Sequence, residues 1–557
     1  MTGLTTPQLI ETAVGFHRAG KLSEANAFYL QALDREPNRV DLLRLLARVA
    51  HEQGRSADAA GFLRRAIELV PGDASLLVNL GMVLVALGDL ENAIASLRKA
   101  TDLNPKSPEA LSNLGAALRQ RGDYAEAASV LRRAVTLKPD FAHAIVNLGA
   151  VLTNLDQFDD AITALLRAIA LRPEDALAHY NLGVALKSAG HLEQALESLN
   201  YALKLQPNEV DTIINIGDVL QQLSRYDQAI DFFNAALELS PHDPAARTNL
   251  SMVLLLKEKY RETWPLYEAR LHLPNQRKRY PYPQPKWDGA SMPGKRILLH
   301  WEQGLGDTLQ FIRYAPLVAE RGLEVIFLCQ GELRRLITGQ CRIAQVITES
   351  DPLPSFDVYC PLLSLPGIFD TALDTIPLNV PYLHADPALI DRWLSVLCAD
   401  PPARLKIGIN WAGSPLPLSN RKRTVGLSAM APLARIPGAQ FYSLQKGPPA
   451  ADAKTPPAGM ELIDHSADLT DFAETAALMS CLDRVITCDT SIAHAAGALG
   501  VATHVLLPFN PDWRWHLNRS DSPWYPTLRL HRQPAPGDYN TPIQELVRQL
   551  SVPQEQT

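Results

Sequence analysis

The sequence predicts two folds in one chain: an all-helical repeat array in the first half and an α/β domain in the second. Three observations support this. Proline recurs every 34 residues from Pro37 to Pro241, with alanine repeating in the same register. From Arg296 onward, short β-rich runs alternate with helical stretches. Several of these runs end in glycine-rich or polar segments, and the carboxyl ends of parallel strands are where ligands bind in α/β sheets.

The 34-residue period fits two antiparallel helices of about a dozen residues each, joined by two turns. Small alanine side chains let the helices of a pair approach closely, and proline ends the second helix because it lacks an N–H. We expect seven repeats between about residues 7 and 243. A degenerate eighth follows from Pro244 to about His272, with Thr263 in place of the alanine. Stacked units of this kind form an α-solenoid with a concave groove, here assigned to residues 1–273.

A series of asparagines also recurs every 34 residues. Asparagine is a mediocre helix former, but its amide offers both a donor and an acceptor. Six amides in one register would form a ladder suited to an extended peptide backbone. The alternative is that each amide satisfies the backbone of a neighbouring repeat. The series is Asn79, Asn113, Asn147, Asn181, Asn215 and Asn249.

The second half is predicted to be an α/β domain of two lobes. Residues 274–295 are rich in proline, basic and aromatic residues and are expected to form an ordered linker. One β-α pattern begins near residue 296 and another near residue 405, which places the lobes at 296–400 and 401–557. We expect two Rossmann-like lobes with a cleft between them. The predicted strands cover 297–300, 324–329, 406–411, 441–445, 484–489 and 502–508.

The first candidate motif is E-Q-G-L-G-D-T-L-Q at 302–310, directly after a predicted strand. Gly304 and Gly306 allow a tight turn and close approach of a ligand. Asp307 then lies at the start of a helix, where a carboxylate could act as a base toward a hydroxyl. The alternative is that Asp307 only caps the helix. The glycines do not complete the dinucleotide-binding pattern, so NAD binding has weak support.

The second candidate motif is C-D-T-S-I-A-H at 488–494, where a strand passes into a helix. Asp489, Thr490 and Ser491 open the helix, whose free N–H groups and dipole favour an anion such as a diphosphate. His494 lies one turn further on. The alternatives are a plain capping motif for the triplet and a core position for the histidine.

Two further strand ends complete the set of candidate donor-binding residues. N-W-A-G-S at 410–414 supplies Trp411 and Gly413, and Arg421 and Arg423 follow it. Small residues let a nucleotide approach the backbone, and a guanidinium binds phosphate with two hydrogen bonds. S-L-Q-K-G at 443–447 adds Gln445 and Lys446. Each motif is weak alone, but all of them end strands of the same predicted domain.

Composition excludes several functional classes. The chain has 557 residues, 46% of them apolar and 20% charged, with a net charge of −7, so it has no basic footprint for nucleic acid. No apolar run reaches the length of a transmembrane helix, and the first residues do not resemble a signal peptide, so we expect a cytoplasmic location. The six cysteines form no C-x-x-C pair, which argues against structural zinc and a disulfide framework. We predict no metal site and no cofactor.

The repeats resemble the tetratricopeptide repeat, and their N-L-G context is similar to the repeats of protein O-GlcNAc transferase, whose asparagine ladder holds protein substrates. Residues 296–535 resemble glycosyltransferase family 9, the heptosyltransferase group with the GT-B fold. The motifs that carry this second resemblance are G-L-G-D-T-L-Q at 304–310, D-T-S-x-x-H at 489–494 and L-L-P-F-N-P-D-W-R-W at 506–515.

The resemblance implies an inverting, metal-independent glycosyltransferase that uses a nucleotide-sugar as substrate. It implies that Asp307 is the catalytic base and that the element from Asp489 to His494 binds donor phosphates. The repeats would hold a protein acceptor, possibly flagellin or another bacterial protein. Two alternatives remain open at this point: a heptosyltransferase-like enzyme acting on a glycolipid, and a non-catalytic repeat scaffold with a relic GT-B domain.

Overall fold

The computed structural model describes residues 4–273, 282–413 and 423–552, and the chain forms two compact units, residues 1–228 and 229–557. Up to residue 273, the described part of the chain contains sixteen α-helices. Their bounds are α1 Thr6–Arg18, α2 Leu22–Arg35, α3 Val40–Glu52, α4 Ser56–Leu69, α5 Ala74–Ala86, α6 Leu90–Leu103, α7 Pro108–Arg121, α8 Tyr124–Leu137, α9 Ala142–Asn154, α10 Phe158–Leu171, α11 Ala176–Ala189, α12 Leu192–Leu205, α13 Val210–Gln222, α14 Tyr226–Leu239, α15 Pro244–Leu256 and α16 Tyr260–Tyr267.

In the first unit, helices pack as consecutive antiparallel pairs, which confirms the predicted solenoid. The glycine of each N-L-G segment lies against a leucine of the second helix in its own repeat. A Cβ added at Gly115 would lie 2.4 Å from Leu131 Cγ, and Gly81 meets Leu97 in the same way. This contact recurs from repeat to repeat, because only a residue without a Cβ allows the two helices to come so close.

The turn inside each repeat requires a left-handed residue. Gly20, Gly54 and Gly88 adopt φ between 72° and 77° there. Asp156 and Ser224 replace glycine in two repeats and still adopt φ of 60° and 59°. The repeat geometry therefore imposes this conformation even where the residue does not favour it.

The second unit begins within α14 and contains the degenerate eighth repeat, α15 and α16, followed by a 3-10 turn at Glu268–His272. Tyr260 and Trp264 of α16 pack with Trp513 and Trp524, with ring centroids 5.7 to 6.3 Å apart. Trp264 Nε1 also donates to the carbonyl of Thr371 at 2.8 Å. The eighth repeat is therefore built into the core of the α/β region.

The remaining described residues contain ten strands in two all-parallel sheets, with orders β3-β2-β1-β4 and β10-β9-β8-β5-β6-β7. This confirms the α/β prediction. The strands are β1 Arg296–His300, β2 Glu324–Leu328, β3 Gln345–Ile347, β4 Val358–Pro361, β5 Leu405–Asn410, β6 Ala439–Ser443, β7 Leu462–Ile463, β8 Arg484–Cys488, β9 Thr503–Leu507 and β10 Leu528–Arg532.

Eight helices accompany these strands in the described residues. The helix predicted to start at Asp307 ends at Phe311 and is followed by a 3-10 turn at Ile312–Tyr314 and a second helix, α18. Helix α23 begins directly after β8, as the motif at 488–494 predicts. The bounds are α17 Leu305–Phe311, α18 Ala315–Glu320, α19 Arg334–Ile337, α20 Leu365–Ile368, α21 Pro387–Ala399, α22 Phe472–Ser480, α23 Ser491–Leu499 and α24 Asn540–Ser551.

Across residues 4–273, 282–413 and 423–552, no helix combines the length and the apolar character that crossing a membrane requires. The same residues contain no group of three or more His, Cys, Asp or Glu side chains that could hold a metal ion.

Candidate functional site

A pocket of about 830 Å³ lies in the second unit, where loops from both parallel sheets meet. These loops follow β1, β5, β6 and β8 at their carboxyl ends, the edge at which α/β sheets bind ligands. Four motifs that are far apart in sequence therefore converge on one cavity. Of the predicted residues, the pocket is lined by Gly304, Gly306, Asp307, Gly413, Arg423, Gln445, Lys446, Asp489, Thr490, Ser491 and His494.

Asp307 lies in the first turn of α17, and both of its carboxylate oxygens are engaged. The N–H of Gly304 donates to Oδ2 at 2.8 Å, and Nη2 of Arg514 donates to Oδ1 at 2.5 Å. Asp307 therefore does help to cap its helix, but it also forms an ion pair across the pocket. Burial raises the pKa of Asp307; Arg514 opposes this rise, while Asp512 and Glu302 add to it. A carboxyl group with a raised pKa is suited to accept a proton from a bound hydroxyl.

The N-terminus of α23 also lines the pocket. Thr490 precedes the helix, but its hydroxyl donates to Oδ1 of Asn410 at 2.9 Å and does not cap the first turn. The N–H groups at the start of α23 therefore remain available to an anion. Gly413 lies beside this turn, since a Cβ added there would lie 3.6 Å from Thr490 Cγ2. The triplet that begins at Asp489 is thus not a plain capping motif.

His494 combines a core position with a place in the pocket wall. Its Nδ1 is 3.0 Å from the hydroxyl of Tyr525, and its ring stacks on Trp515 with centroids 5.2 Å apart. Burial lowers the pKa of His494 to about 3, so the imidazole is neutral at pH 7. Gly306 is required beside it, because a Cβ at that position would lie 2.7 Å from His494 Cδ2.

Asp489 is almost fully buried and has one strong partner. Trp515 Nε1 donates to its Oδ1 at 2.8 Å. Its Oδ2 makes no hydrogen bond to a described residue and lies 3.5 Å from Nη1 of Arg423. Burial raises the pKa of Asp489, and Arg423 opposes the rise. The other predicted arginine, Arg421, falls outside the described residues.

Gln445 holds the loop after β5 in place. Its Oε1 accepts the backbone N–H groups of Trp411 and Ala412 at 3.1 and 2.9 Å, and its Nε2 donates to the carbonyl of Ala412 at 2.9 Å. The structure places the Trp411 side chain in the core, outside the pocket wall, with Nε1 3.2 Å from Asp452 Oδ2. Gln445 thus shapes the pocket through the backbone.

Lys446 follows Gln445 and reaches the pocket rim. Its Nζ donates to the carbonyl of Ser466 at 2.7 Å. This contact holds the ammonium group at the rim and leaves its remaining N–H groups for other acceptors.

The prediction of site residues omitted Arg514 and Asp512, which both line the pocket. The guanidinium of Arg514 is buried and bridges two carboxylates, since Nη1 donates to Asp512 Oδ1 at 2.9 Å and Nη2 donates to Asp307. The signal was present in D-W-R-W at 512–515, which follows strand β9 just as the recognised motifs follow their strands. What sequence alone does not show is that this loop reaches Asp307.

The six asparagines lie at equivalent positions in the first helix of their repeats, but their surroundings differ. Asn181 Nδ2 donates to the carbonyl of Leu177 at 2.9 Å, within its own helix. Asn215 donates to Tyr180 Oη at 3.2 Å and accepts from Lys187 Nζ at 2.7 Å. Asn147 is buried beside Ser112. Asn249, in α15, belongs to the second unit.

Asn79 and Asn113 form no side-chain hydrogen bond to any described residue and are partly exposed. The ladder is therefore divided. Two amides, in α5 and α7, are available to a ligand, whereas those in α9, α11 and α13 are engaged with neighbouring groups of the repeats.

Comparison with known families identifies the repeats. Residues 15–74 and 78–140 match a family model described as tetratricopeptide repeat, residues 149–190 match a TPR repeat model, and residues 186–249 match a further tetratricopeptide repeat model. The helical repeats of the first half are therefore tetratricopeptide repeats, as predicted.

Among curated proteins, the chain is similar to Protein FlbA of Caulobacter vibrioides, with 28% identity over 294 residues. The match covers 48% of this chain and 48% of that protein, so the chain spans about half the length of the curated relative it matches. Similar solved structures include the APC/C hetero-tetramer Cut9-Hcn1 (21% identity, 49% of this chain and 55% of that chain, TM-score 0.40). Another is a tetratricopeptide repeat protein from Parabacteroides merdae (18% identity, 45% and 100% coverage, TM-score 0.40).

Proposed function

We propose that the protein is a glycosyltransferase that moves a sugar from a nucleotide-sugar donor to a protein acceptor held by its tetratricopeptide repeats. The observation that carries the proposal is that Asp307 and the uncapped N-terminus of α23 line the same pocket. A base for an acceptor hydroxyl and a site for a leaving diphosphate are the two elements that such a transfer needs.

In the proposed step, Asp307 takes the proton of the acceptor hydroxyl while that oxygen forms a bond to the anomeric carbon. The bond between this carbon and the diphosphate oxygen breaks, and the diphosphate leaves with the electron pair. The N–H groups of α23 and the guanidinium of Arg423 receive the developing negative charge. Attack opposite the leaving group inverts the configuration of the anomeric carbon.

Tetratricopeptide repeats indicate protein–protein interaction, and the two available amides suggest where an acceptor would bind. Asn79 and Asn113 each offer a donor and an acceptor to an extended backbone. Nearby on the same helices, Met82 is 47% exposed and Val78 and Ala116 are partly exposed. We therefore assign acceptor binding to α5 and α7, with the amides contacting the peptide backbone and the apolar side chains contacting its uncharged residues.

The donor test is a thermal-shift screen of the whole chain against UDP-, ADP-, GDP- and CMP-sugars, since a ligand of the native state raises the melting temperature. We expect one nucleotide class to raise it and Asp489→Asn to reduce the shift. Arg519→Gln is the matched control, because Arg519 pairs with Asp521 at 2.7 Å on the surface. A screen in which no nucleotide-sugar shifts the wild type contradicts the enzyme proposal and favours a repeat scaffold.

The acceptor test uses purified flagellin as a probe and the double variant Asn79→Ala/Asn113→Ala. We expect the acceptor KM to rise about tenfold with the donor KM unchanged, because the lost contacts concern acceptor binding alone. Asn181→Ala is the control, since that amide already bonds within its own helix. Transfer to a glycolipid that ignores all three asparagines would favour the heptosyltransferase-like alternative.

A further inference from the structure

The segment from Asp512 to His516 (the 512–516 segment) connects the pocket to the eighth repeat. On one side, Arg514 and Trp515 donate hydrogen bonds to Asp307 and Asp489. On the other side, His516 is fully buried, and its Nε2 lies 3.2 Å from the hydroxyl of Tyr260 in α16. Five consecutive residues therefore include contacts to the carboxylates of Asp307 and Asp489 and to the last tetratricopeptide repeat.

Arg514 is fixed along its whole length. Its guanidinium lies over the ring of Trp513 at 4.5 Å and over Phe311 at 5.5 Å. Its Nε donates to Gln310 Oε1 at 2.6 Å, and the two terminal nitrogens donate to Asp512 and Asp307. Stacking and three separate acceptors hold the guanidinium in the orientation that presents one N–H to Asp307.

The backbone of the segment is held in an unusual conformation. His516 adopts φ of 53°, a left-handed conformation that costs free energy for a residue with a Cβ. The Tyr260 hydroxyl forms a hydrogen bond with Nε2 of His516, and the two ring centroids are 5.9 Å apart. The eighth repeat thereby stabilises the turn that aims Arg514 at Asp307.

We propose that Arg514 is a positioning residue for the transfer reaction: it holds one oxygen of Asp307 and leaves the other lone pairs of the carboxylate facing the acceptor hydroxyl. The inference rests on the proposed function of the pocket. It adds a residue outside the four predicted motifs, and it explains why a repeat is built into the α/β core.

The charges around Asp307 define the expected pH dependence. Arg514 faces Asp307 as a cation, Asp512 and Glu302 act on it as anions, and His494 is neutral at pH 7. Removing the cation favours the protonated form of Asp307, and removing Asp512 favours the ionised form. The two changes therefore shift the acid limb of a pH–rate profile in opposite directions.

The experiment measures nucleotide release from the donor that the thermal screen identifies, with water in place of the acceptor, between pH 5 and 9. Three variants are compared with the wild type. For Arg514→Gln we expect kcat at pH 7 to fall about tenfold and the acid limb to rise by about one pH unit. For Asp512→Asn we expect the acid limb to move to lower pH, because the substitution removes an anion that raises the pKa of Asp307. The amide oxygen can still accept a hydrogen bond from Arg514. Arg519→Gln should leave the profile unchanged.

If the wild type is active, two results would overturn the inference. One is an Arg514→Gln pH–rate profile identical to that of the wild type. The other is a raised donor KM with an unchanged acid limb, which would assign Arg514 to donor binding. If the wild type releases no nucleotide from any donor, the proposed function itself fails. In that case the positioning role is rejected. A double-mutant cycle of Arg514→Gln and Asp307→Asn, read out as the free energy of unfolding, then measures what the ion pair contributes to stability.

Discussion

The repeats and the α/β region use the chain in opposite ways. In the repeats, one contact recurs from unit to unit, such as Gly115 against Leu131, and the helices from α1 to α13 pack on their neighbours in sequence. In the α/β region, Asp307 pairs with Arg514 across 207 residues, and Tyr260 meets His516 across 256. A substitution that weakens a contact in the repeats therefore affects mainly the adjacent repeats. In the α/β region, a substitution can break a contact between segments that are far apart in the sequence.

Acidification should affect the α/β region first. Burial lowers the pKa values of His494, His504 and His516 to about 3, about 3 and about 4. Above pH 6.5 these rings are neutral in the folded and unfolded chain alike. Between pH 6.5 and the folded pKa, the unfolded chain binds protons that the folded chain does not. As the pH decreases through this range, the free energy of unfolding therefore falls by about 1.4 kcal/mol per pH unit for each histidine.

The measurement uses two signals. All eight tryptophans lie between residues 264 and 524, so tryptophan fluorescence reports on the second unit, while circular dichroism at 222 nm is dominated by the repeats. We expect fluorescence to change at a higher pH than the helical signal. Replacing His504 with Gln should lower the pH of the fluorescence transition. Coincident transitions would show that the two regions do not differ in this respect.

The next largest effect is expected at Arg270, whose side chain is buried. It donates to both oxygens of Glu302 at 3.0 and 2.9 Å and to Ser364 Oγ at 2.9 Å. Arg270→Ala removes this cation from the buried Glu302 carboxylate, which should cost about 3–5 kcal/mol in urea unfolding followed by fluorescence. Arg48→Ala, which removes a surface pair with Glu52, should cost about 0.3–0.5 kcal/mol. Equal costs would contradict the comparison.

An effect smaller than that at Arg270 is expected at two glycines of the repeats. A methyl group at Gly115 would lie 2.4 Å from the buried Leu131 side chain, so Gly115→Ala should destabilise the chain by about 1–3 kcal/mol. Gly61, in α4, has no atom within 4 Å of an added Cβ, so Gly61→Ala should stabilise it by about 0.5–1 kcal/mol through helix propensity. Thermal unfolding at 222 nm measures both. If both substitutions shifted the melting temperature in the same direction, the close contact at Gly115 would not be what distinguishes the two positions.

The repeats could be predicted from sequence because their contacts are periodic. Pro37 and its equivalents mark the helix ends, and even the turns without glycine, at Asp156 and Ser224, occupy the expected positions. In the α/β region, strands with long apolar runs were predicted, whereas β3, β4, β7 and β10 were not. Strands β3, β4 and β7 have only three, four and two residues, and in β10, L-R-L-H-R, polar residues interrupt the apolar ones.

The candidate pocket was only partly predictable. Residues that follow strands were identified because strand ends converge in any parallel sheet, which is how Asp307 and Asp489 were found. Arg514 was not identified, because its role depends on a loop crossing to a different sheet. Likewise, sequence spacing placed Asn79 and Asn181 in one equivalent series, but only the structure shows that one amide is available and the other is bonded to Leu177.

The long separation of Asp307 and Arg514 also has a consequence for biosynthesis. Each tetratricopeptide repeat can pack on the preceding one as soon as it leaves the ribosome. Asp307, by contrast, emerges 207 residues before its arginine. At about 5–20 residues per second, that carboxylate waits roughly 10–40 s for its partner. For most of the time in which the second half is synthesised, the nascent chain therefore contains complete repeats but lacks the residues that complete the pocket.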